Sequence, residues 1–368
     1  MKIGYLVHNL NDPAVERRCV MLERGGATVR LAGFCRDRCI SPTVAARSPL
    51  PLGQTGDARM VARTLGTAWT VLRSDRLRKY FRDCDVLVAR NLEQLAVARR
   101  VADGRPIVYE CLDIHRLLTG RGGAASLVRA IEARLLPGVA LLLTSSPAFV
   151  RSHFAHRPIT ASVSIIENKL LVQSDEATQA QAPSAVAPLR IGWFGMLRCR
   201  TTLEFLTRLA ASAEGRIEIL IAGKPSPAEV PDLVEWAAAH DGIEFHGPYA
   251  YADLPGLYGR CHFAWAVDWF EEGANSSWLL PNRLYEALAH GAIPIALSTV
   301  ETGRWLLERE CGLVVDAPEE IVGRLARMSP EALAIMQRRV AALDRRQLVA
   351  DDRDCRMLVA SIEELVAA

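Results

Sequence analysis

The chain has 368 residues, half of them apolar, which suits two domains of ordinary size that each bury their own core. It contains no run of 18 apolar residues, and this excludes a membrane-spanning helix of the usual length. The formal net charge of +2 hides an asymmetry, because residues 1–186 carry 26 Lys and Arg against 16 Asp and Glu, whereas residues 187–368 carry 18 against 26. The excess of basic residues in the first half could serve to bind an anionic partner. Equally, these residues could be arginines on helix faces that are exposed only to solvent.

The nine cysteines indicate a reducing compartment. Their number is odd, no Cys-x-x-Cys pair occurs, and no His or second Cys pair completes a metal site beside Cys35 and Cys39. We therefore expect reduced, mostly buried thiols. Lys2 is followed at once by a strand-like run instead of an apolar leader. We expect a cytoplasmic protein, or one held peripherally on the cytoplasmic membrane face.

Apolar strand-like runs alternate with helical patterns through the first half of the chain. This alternation is typical of a mostly parallel sheet with helices on both faces. The predicted strands are 3–7, 28–34, 85–91, 106–113, 139–146 and 162–168. The predicted helices are 14–25, 58–82, 92–103 and 124–136.

The segment 173–188 breaks this pattern, because it is rich in Ala, Ser, Gln and Pro, and it is interpreted as a linker. The alternation then restarts. We therefore predict an α/β protein with two doubly wound, Rossmann-like domains at 1–172 and 189–345, and a C-terminal helix at 346–368 that crosses back to the first domain. Ligands are expected in a cleft between the two domains, at the carboxyl ends of the strands.

Two strand ends of the second domain carry residues suited to a phosphorylated ligand. Gly195 ends a strand and would let a ligand approach the backbone, and Arg198 would add charge-assisted hydrogen bonds. Lys224 stands beside the next strand-end glycine and follows the same logic. Ordinary strand–helix turns with solvated basic side chains are the alternative.

The segment SWLLPNRLYEALAHGAIPIA runs from a polar loop through a short helix, predicted at 282–289, to an apolar strand. Pro281 suits the start of the helix, and Asn282 can cap it. Glu286 lies one turn further on, where a carboxylate that accepts two adjacent hydroxyls would bind a ribose. On spacing alone, a solvated helix charge is the favoured interpretation of Glu286.

The first domain offers candidates for an acceptor-binding side. Asp113 and His115, in the strand-end sequence YECLDIHR, could each act as the general base that removes the proton of an acceptor hydroxyl. We favour Asp113 by a small margin. The alternative is that Asp113 caps the following turn and His115 packs against its surroundings.

Two further turns of this domain carry polar side chains. Asn9, Asn11 and Asp12 follow the first strand and would approach the acceptor or the sugar, unless they only cap the next helix. Arg90 and Asn91 end another predicted strand and would meet an anionic acceptor.

The segment 72–83 combines five basic residues with Leu77, Tyr80 and Phe81. A basic amphipathic helix can lie on anionic lipid, so this segment could contact the inner face of the cytoplasmic membrane. A solvated helix whose apolar stripe faces the core would show the same pattern.

The order of motifs between 190 and 300 resembles the C-terminal half of GT-B glycosyltransferases. Two strand-end glycines are followed by FHGPYAYADLPGLYGRCHFAWAV, a polar loop and PNRLYEALAHGAIPIA. The N-terminal half is similar in outline through VARN, YECLDIH and a Ser pair before a helix. The chain as a whole looks most like bacterial exopolysaccharide glycosyltransferases of the succinoglycan type.

This resemblance implies a metal-independent transfer of a sugar from a nucleotide-diphosphate donor, expected to be UDP-linked, to a glycan or a polyprenyl-diphosphate-linked acceptor. Glu286 would accept hydrogen bonds from the ribose, and His246 and Tyr249 would lie near the base. The sequence EEGANSSW replaces the E-G-F-G loop of the large retaining group, so the anomeric outcome stays open. The residues assigned to the donor diphosphate or sugar are Gly195, Arg198, Lys224, Asn275, Ser276, Ser277, Asn282 and Arg283.

Two other functions fit the same pattern. A nucleotide-sugar 2-epimerase shares the two-domain fold but would form its product from the donor alone. A non-catalytic module that binds anions or nucleotides would suit the basic first half.

Aromatic residues are sparse in the basic stretches and no helix-turn-helix or zinc module is visible, so no nucleic-acid partner is expected. No G-x-G-x-x-G follows a strand, which disfavours a dehydrogenase.

Overall fold

The computed structural model describes residues 1–36, 39–54, 74–114, 116–120, 122–172, 183 and 188–367. Most of the predicted helix at 58–82 and of the predicted linker at 173–188 lies outside these ranges, and so does His115. The chain forms two compact units. Unit 1 comprises Met1–Glu167 together with Ala350–Ala368, and unit 2 comprises Asn168–Val349.

A parallel sheet of seven strands forms the centre of unit 1 in the described residues. The strands are β1 (Lys2–Val7), β2 (Thr28–Cys35), β3 (Leu50–Gln54), β4 (Val86–Arg90), β5 (Ile107–Cys111), β6 (Leu141–Thr144) and β7 (Ser162–Ile165). Their order across the sheet is β3-β2-β1-β4-β5-β6-β7. β4 and β5 are buried along their whole length, as expected of parallel strands covered on both faces. The order reverses between β1 and β4, which is where sheets of this kind bind ligands.

Helices connect these strands. They are α1 (Pro13–Arg24), α2 (Pro42–Ala45), α3 (Ser74–Phe81), α4 (Leu92–Val101), α5 (Arg116–Thr119), α6 (Gly123–Leu135) and α7 (Pro147–Ser152).

The helix α3 covers the described part of the basic segment 72–83. Its apolar residues Leu77 and Phe81 are buried in unit 1, whereas Arg76 and Lys79 are exposed. The apolar stripe of this helix therefore faces the core, as the alternative interpretation of the segment expected. A membrane contact through its basic side chains alone stays a prediction.

Unit 2 repeats the topology of unit 1. The strands of its main sheet are β9 (Leu189–Leu197), β10 (Ile217–Pro225), β11 (Ile243–Gly247), β12 (Phe263–Trp265), β13 (Ile293–Leu297) and β14 (Leu313–Val315), and β8 (Leu170–Leu171) pairs separately with β15 (Val349–Ala350). The main sheet is parallel in the order β11-β10-β9-β12-β13-β14, so its ligand-binding reversal lies between β9 and β12.

The helices of unit 2 pack around this sheet. They are α8 (Arg200–Ser212), α9 (Leu233–Ala238), α10 (Leu254–Tyr258), α11 (Asn275–Trp278), α12 (Asn282–Ala289), α13 (Glu301–Glu308), α14 (Pro318–Ala326) and α15 (Pro330–Ala341). Trp193 and Trp265, on β9 and β12, are fully buried in the main core together with Leu203 and Leu206 of α8. This core holds the strand ends of the sheet in fixed positions.

The last helix, α16 (Asp352–Ala367), belongs to unit 1 and packs against α1. Arg24 Nε donates to Asp352 Oδ1 at 2.7 Å. A Cβ on Gly25 would lie 2.4 Å from the carbonyl oxygen of Cys355, so the close approach of the two helices requires glycine there.

All nine cysteines are free, and seven of them are buried, which confirms the prediction of mostly buried thiols. Among the described residues, no helix is long and apolar enough to cross a membrane.

Candidate functional site

Three glycines mark the carboxyl ends of adjacent strands in unit 2. Gly195, Gly223 and Gly247 lie near the ends of β9, β10 and β11, with φ angles of 111°, 142° and 92°. Gly223 is paired with Gly195 in the strand register, and a Cβ on Gly223 would approach the Gly195 carbonyl oxygen to 1.9 Å. A Cβ on Gly195 would meet no atom within 4 Å. This edge thus presents open backbone, which is the property that the prediction for Gly195 requires.

Glu286 lies at the start of the second turn of α12, whose bounds equal the predicted 282–289. The prediction that Asn282 caps this helix is wrong. Pro281 occupies the cap position with an extended backbone, and Asn282 is the first helical residue. Leu284 and Tyr285 are buried in the core, and Glu286 is left half-buried at the helix surface.

A cluster of aromatic side chains lies next to the Glu286 carboxylate. The Tyr258 hydroxyl donates to Glu286 Oε2 at 3.3 Å, and the Tyr258 ring stacks on His290 at 5.9 Å between centroids. Phe194 meets Tyr258 edge-on at 4.8 Å and Tyr249 at 6.4 Å. Burial, and then the charge of Glu286, raise the pKa of both Tyr249 and Tyr258. Both phenols therefore stay neutral, and the Tyr258 hydroxyl donates a hydrogen bond to the carboxylate.

The basic residues predicted for the diphosphate have different surroundings. The Arg198 guanidinium lies over the Phe270 ring at 4.6 Å and 4.0 Å from the Asp268 carboxylate, so it is directed towards the loop after β12. Lys224 is exposed and makes no ion pair with the part of the chain that the structure describes. Arg283 is half-buried, and its charge opposes the effect of Glu286 on the pKa of Tyr249.

The loop before α12 is held by its own hydroxyl groups. Ser276 Oγ accepts from the Glu271 amide at 3.2 Å, and Ser277 Oγ accepts from the Gly273 amide at 3.0 Å. Asn275 is buried at the start of α11. A cavity of about 240 Å³ opens beside this loop, and both serines line it. The same cavity is lined by Ala266, Val267, Asp268, Trp269, Glu272, Gly273, Leu297, Thr299 and Val300. His246, by contrast, is exposed near the end of the edge strand β11.

In unit 1, the polar residues after β1 fix the turn that they form. Asp12 caps α1, since its Oδ1 accepts from the Ala14 amide at 2.9 Å. Asn9 is buried, and its Oδ1 accepts from the Asn11 amide at 3.1 Å. The Asn11 side chain donates to the Cys39 carbonyl at 2.7 Å and accepts from the Arg36 amide at 2.9 Å. These contacts cap α1 and hold the turn, and capping is the role that the alternative interpretation gave to this segment.

Arg90 and Asn91, at the end of β4, lie beside the same edge. Arg90 is buried, and its Nη1 donates to the Tyr5 hydroxyl at 3.2 Å. Asn91 has a positive φ of 71°, and its Nδ2 lies 3.3 Å from His8 Nδ1. Arg90 is thus part of the interior of unit 1, and Asn91 forms the outer rim of the strand end.

Asp113 is exposed in the loop after β5, where the Cys111 thiol donates to its carbonyl oxygen at 3.6 Å. Its carboxylate therefore lies at the surface, on the carboxyl side of the sheet. The other candidate base, His115, lies outside the described residues.

Known proteins are similar to this chain in sequence and in structure. A family model described as glycosyl transferase-like matches residues 200–360. The succinoglycan biosynthesis protein ExoL of Rhizobium meliloti (strain 1021) is 41% identical over 380 residues, which cover 99% of this chain and 94% of that protein. The chain belongs to this glycosyltransferase family.

The structure of the glycosyltransferase is similar to solved structures along its whole length. Sucrose-phosphate synthase from Thermosynechococcus elongatus has 14% sequence identity and a TM-score of 0.70, with 100% of this chain and 99% of that chain covered. Anabaena Alr3699/HepE in complex with UDP-glucose has 14% identity and a TM-score of 0.70, with 99% of each chain covered. These similarities and the two parallel sheets confirm the predicted GT-B fold.

The glycosyltransferase also contains a buried ionic network that sequence reasoning missed. In unit 1, Tyr5 donates to Glu110 Oε2, Arg18 Nε donates to Glu110 Oε1 at 2.6 Å, and Arg90 Nε lies 3.8 Å from Glu110 Oε2. All four residues are nearly or fully buried. Burial alone would raise the pKa of Glu110, but the charges of Arg18 and Arg90 and the hydrogen bonds from Tyr5 and Arg18 lower it. Glu110 is therefore ionised and balances one of two buried guanidinium groups.

Two residues near the candidate donor site were also missed, although the sequence carries a signal for each. Tyr258 belongs to the ADLPGLY stretch that supports the family resemblance, and it donates to Glu286. Asp268 lies three residues after the end of the buried strand β12, and its carboxylate is 4.0 Å from Arg198. Among the described residues, no group of three His, Cys, Asp or Glu side chains is arranged to hold a metal ion. The expectation of a metal-independent reaction stays a prediction.

Proposed function

We propose that this glycosyltransferase transfers a hexose from a UDP-linked donor to a glycan or polyprenyl-diphosphate-linked acceptor during bacterial exopolysaccharide synthesis, without a metal ion. Two comparisons support this assignment. The relative with 41% identity is named for succinoglycan biosynthesis, and a protein of the same fold is solved with UDP-glucose. In this proposal unit 2 binds the donor and unit 1 binds the acceptor.

The observation that carries the proposal is the position of Glu286 beside the glycine-lined edge of unit 2. Its Oε2 accepts from the Tyr258 hydroxyl, which orients the carboxylate, and the same carboxylate would accept from the ribose hydroxyls. The open backbone at Gly195 then suits the diphosphate, since phosphate oxygens accept hydrogen bonds from backbone N–H groups that no side chain covers.

The leaving diphosphate needs positive charge. Arg198, Lys224 and Arg283 are the cationic side chains proposed to supply it, and the amino end of α12 adds a partial positive charge. Asn275, Ser276 and Ser277 would face the sugar or diphosphate from the loop, and the cavity beside that loop is available for the sugar.

Asp113 or His115 would take the proton from the acceptor hydroxyl. The acceptor oxygen would then form the new bond to the anomeric carbon, while the bond from that carbon to the diphosphate breaks and UDP departs. Asn11, Asp12 and Asn91 would contact the acceptor, and the buried Asn9 and Arg90 would support this edge from beneath, with Arg90 providing positive charge.

Removal of the Glu286 charge tests the donor site. The melting temperature of the wild type is expected to rise with UDP, because a ligand that binds only the native state stabilises it. Glu286→Gln should weaken UDP binding by about 10- to 100-fold, since a hydrogen bond to a charged group contributes about 1.5–3 kcal/mol. The measurement is a thermal-shift titration with UDP and UDP-glucose.

Glu319→Gln is the matched control, because Glu319 is an exposed helix carboxylate elsewhere in unit 2. It should titrate like the wild type. An unchanged titration in Glu286→Gln removes Glu286 from the site, and the absence of any shift in the wild type contradicts a UDP-linked donor. A 2-epimerase would instead convert the donor to a new nucleotide sugar with no acceptor present.

A further inference from the structure

The helix α6 of unit 1 has an inverted distribution of polarity. A surface helix of a folded domain normally buries its apolar stripe and exposes its charges. In α6 the side chain of Glu132 is fully buried, whereas Leu127 is 62% exposed and Ile131 is 43% exposed. The two large apolar residues are four positions apart, so they lie on one face.

The outward face of α6 is apolar over most of its length. Gly123, Ala124, Leu127, Ala130 and Ile131 are all exposed and lie on one side of the helix, and the single charged residue on that side is Arg134 in the last turn. The spacing of 3, 4 and 7 residues among them is that of one continuous helical stripe.

The inward face of α6 is anchored by a polar cluster. Glu132 Oε1 lies 2.7 Å from His153 Nε2, and Glu132 Oε2 lies 2.7 Å from Arg157 Nε. These buried contacts attach the helix to unit 1 without using Leu127 or Ile131. The stability of unit 1 therefore does not explain why the outward face is apolar.

The charge around this face is positive. Glu132 is the only acidic residue between 122 and 140, and it is buried with its partners. Arg134 is exposed beside Ile131, and exposed Arg99 donates to the Gly138 carbonyl just beyond the helix. An apolar stripe with arginines at its rim is complementary to an anionic lipid surface, in which acyl chains lie beneath negative headgroups.

We propose that α6 lies on an anionic bilayer, with Leu127 and Ile131 in contact with the acyl boundary and Arg134 and Arg99 at the headgroups. This surface differs from the basic segment 72–83, because the apolar residues of α3 are buried whereas those of α6 are exposed. The inference rests on the proposed function only in that a lipid-linked acceptor would give the contact a purpose. Lipid binding itself needs neither donor nor acceptor.

The test is flotation of the full chain with vesicles of phosphatidylethanolamine and phosphatidylglycerol, compared with vesicles of phosphatidylcholine alone. The wild type should bind the anionic vesicles and bind the neutral ones at least tenfold more weakly. Leu127→Ser combined with Ile131→Ser should reduce binding to anionic vesicles at least tenfold. Arg134→Glu should reduce binding to anionic vesicles and leave binding to neutral vesicles unchanged.

The matched control combines Leu307→Ser with Ile335→Ser, because these two residues are similarly exposed on helices of unit 2. It should bind like the wild type.

Failure of the wild type to bind anionic vesicles overturns the proposal, as does equal binding by the α6 variant. A wild-type dimer that the α6 variant dissociates, with no vesicle binding, would assign the face to a second copy of the chain and also overturn it. UDP titration of the α6 variant is expected to match the wild type, so a loss of lipid binding is distinct from a failed donor site.

Discussion

The two units share one strand order but use the carboxyl edge of the sheet differently. In unit 2 the ends of three neighbouring strands carry glycines, and the half-buried Glu286 accepts from Tyr258, whose ring packs against Phe194 next to Gly195. In unit 1 the neighbouring strands β1, β4 and β5 carry Tyr5, Arg90 and Glu110, whose polar groups bind one another in the interior. Unit 2 therefore exposes backbone at its edge, and unit 1 encloses charge beneath its edge.

In the proposed function, this difference would allow one topology to serve two substrates. Backbone N–H groups left uncovered by glycine suit a diphosphate, whose charge is fixed and whose shape is compact. The buried network of unit 1 contains two guanidinium groups and one carboxylate, so it has a net positive charge beneath the edge of the sheet. This charge would suit an acceptor that is held in place while a separate base acts on it. A substitution at the edge of one unit should then leave the function of the other edge unchanged.

The largest expected effect comes from the proposed base. Asp113→Asn should lower the rate of sugar transfer by about 100- to 10,000-fold, the range typical of general base catalysis. UDP binding should be unchanged, because Asp113 belongs to unit 1. Transfer is measured as UDP release in the presence of acceptor, and donor binding by thermal shift.

Asp75→Asn is the control for this variant, because Asp75 is an exposed carboxylate of unit 1 that lies on α3. It should transfer sugar at the wild-type rate. Retained turnover in Asp113→Asn would reject Asp113 and favour His115. Loss of UDP binding in the same variant would show that the two edges are not separable.

The next effect concerns the buried network of unit 1. Glu110→Gln should lower the free energy of unfolding by about 3–5 kcal/mol, because Arg18 and Arg90 would be left buried without a balancing charge. Tyr5→Phe keeps the ring and removes one hydrogen bond, so a smaller loss of about 1–3 kcal/mol is expected. Urea unfolding of the three proteins at pH 7 measures both differences.

The same network has a predictable pH dependence. The pKa of Glu110 is lowered in the folded protein, so the stability that it contributes is complete above its ordinary value of 4.5 and is lost as pH falls through the lowered value. The stability difference between the wild type and Glu110→Gln should therefore be constant from pH 7 to about 5 and shrink below that. A difference that grows on acidification would contradict an ionised Glu110.

The last comparison concerns two glycines of unit 2. Gly223→Ala should cost about 3 kcal/mol or more, since its Cβ would lie 1.9 Å from the Gly195 carbonyl oxygen. Gly195→Ala meets no atom within 4 Å, so only the strain of its positive φ remains, about 1–2 kcal/mol. Gly195→Ala should nevertheless weaken UDP binding, measured by thermal shift against the lower melting temperature of the free variant. Equal stability of the two variants would contradict the close pairing of these strand ends.

Some features of the site were predictable because they depend on neighbours in the chain. The bounds of α12 were predicted correctly, since an apolar period and a proline at its start are local signals. The cap was assigned to Asn282 by residue preference, and the structure instead places Pro281 there, with an extended backbone and no side-chain hydrogen bond to the helix. The roles of Asn11 and Arg90 could not be derived, since their partners at Cys39, Tyr5 and Glu110 are distant in sequence.

The sequence by itself determined the alternation of strands and helices, the strand-end glycines, the helix that carries Glu286 and the burial of most of the cysteines. All of these follow from periodicity and residue type within short segments. Only the tertiary structure decided which charges are enclosed and which surfaces are open. Glu110 and Glu132 are buried with guanidinium partners while Leu127 and Ile131 are exposed, because the packing of distant segments, and not the polarity of a residue, sets its access to water.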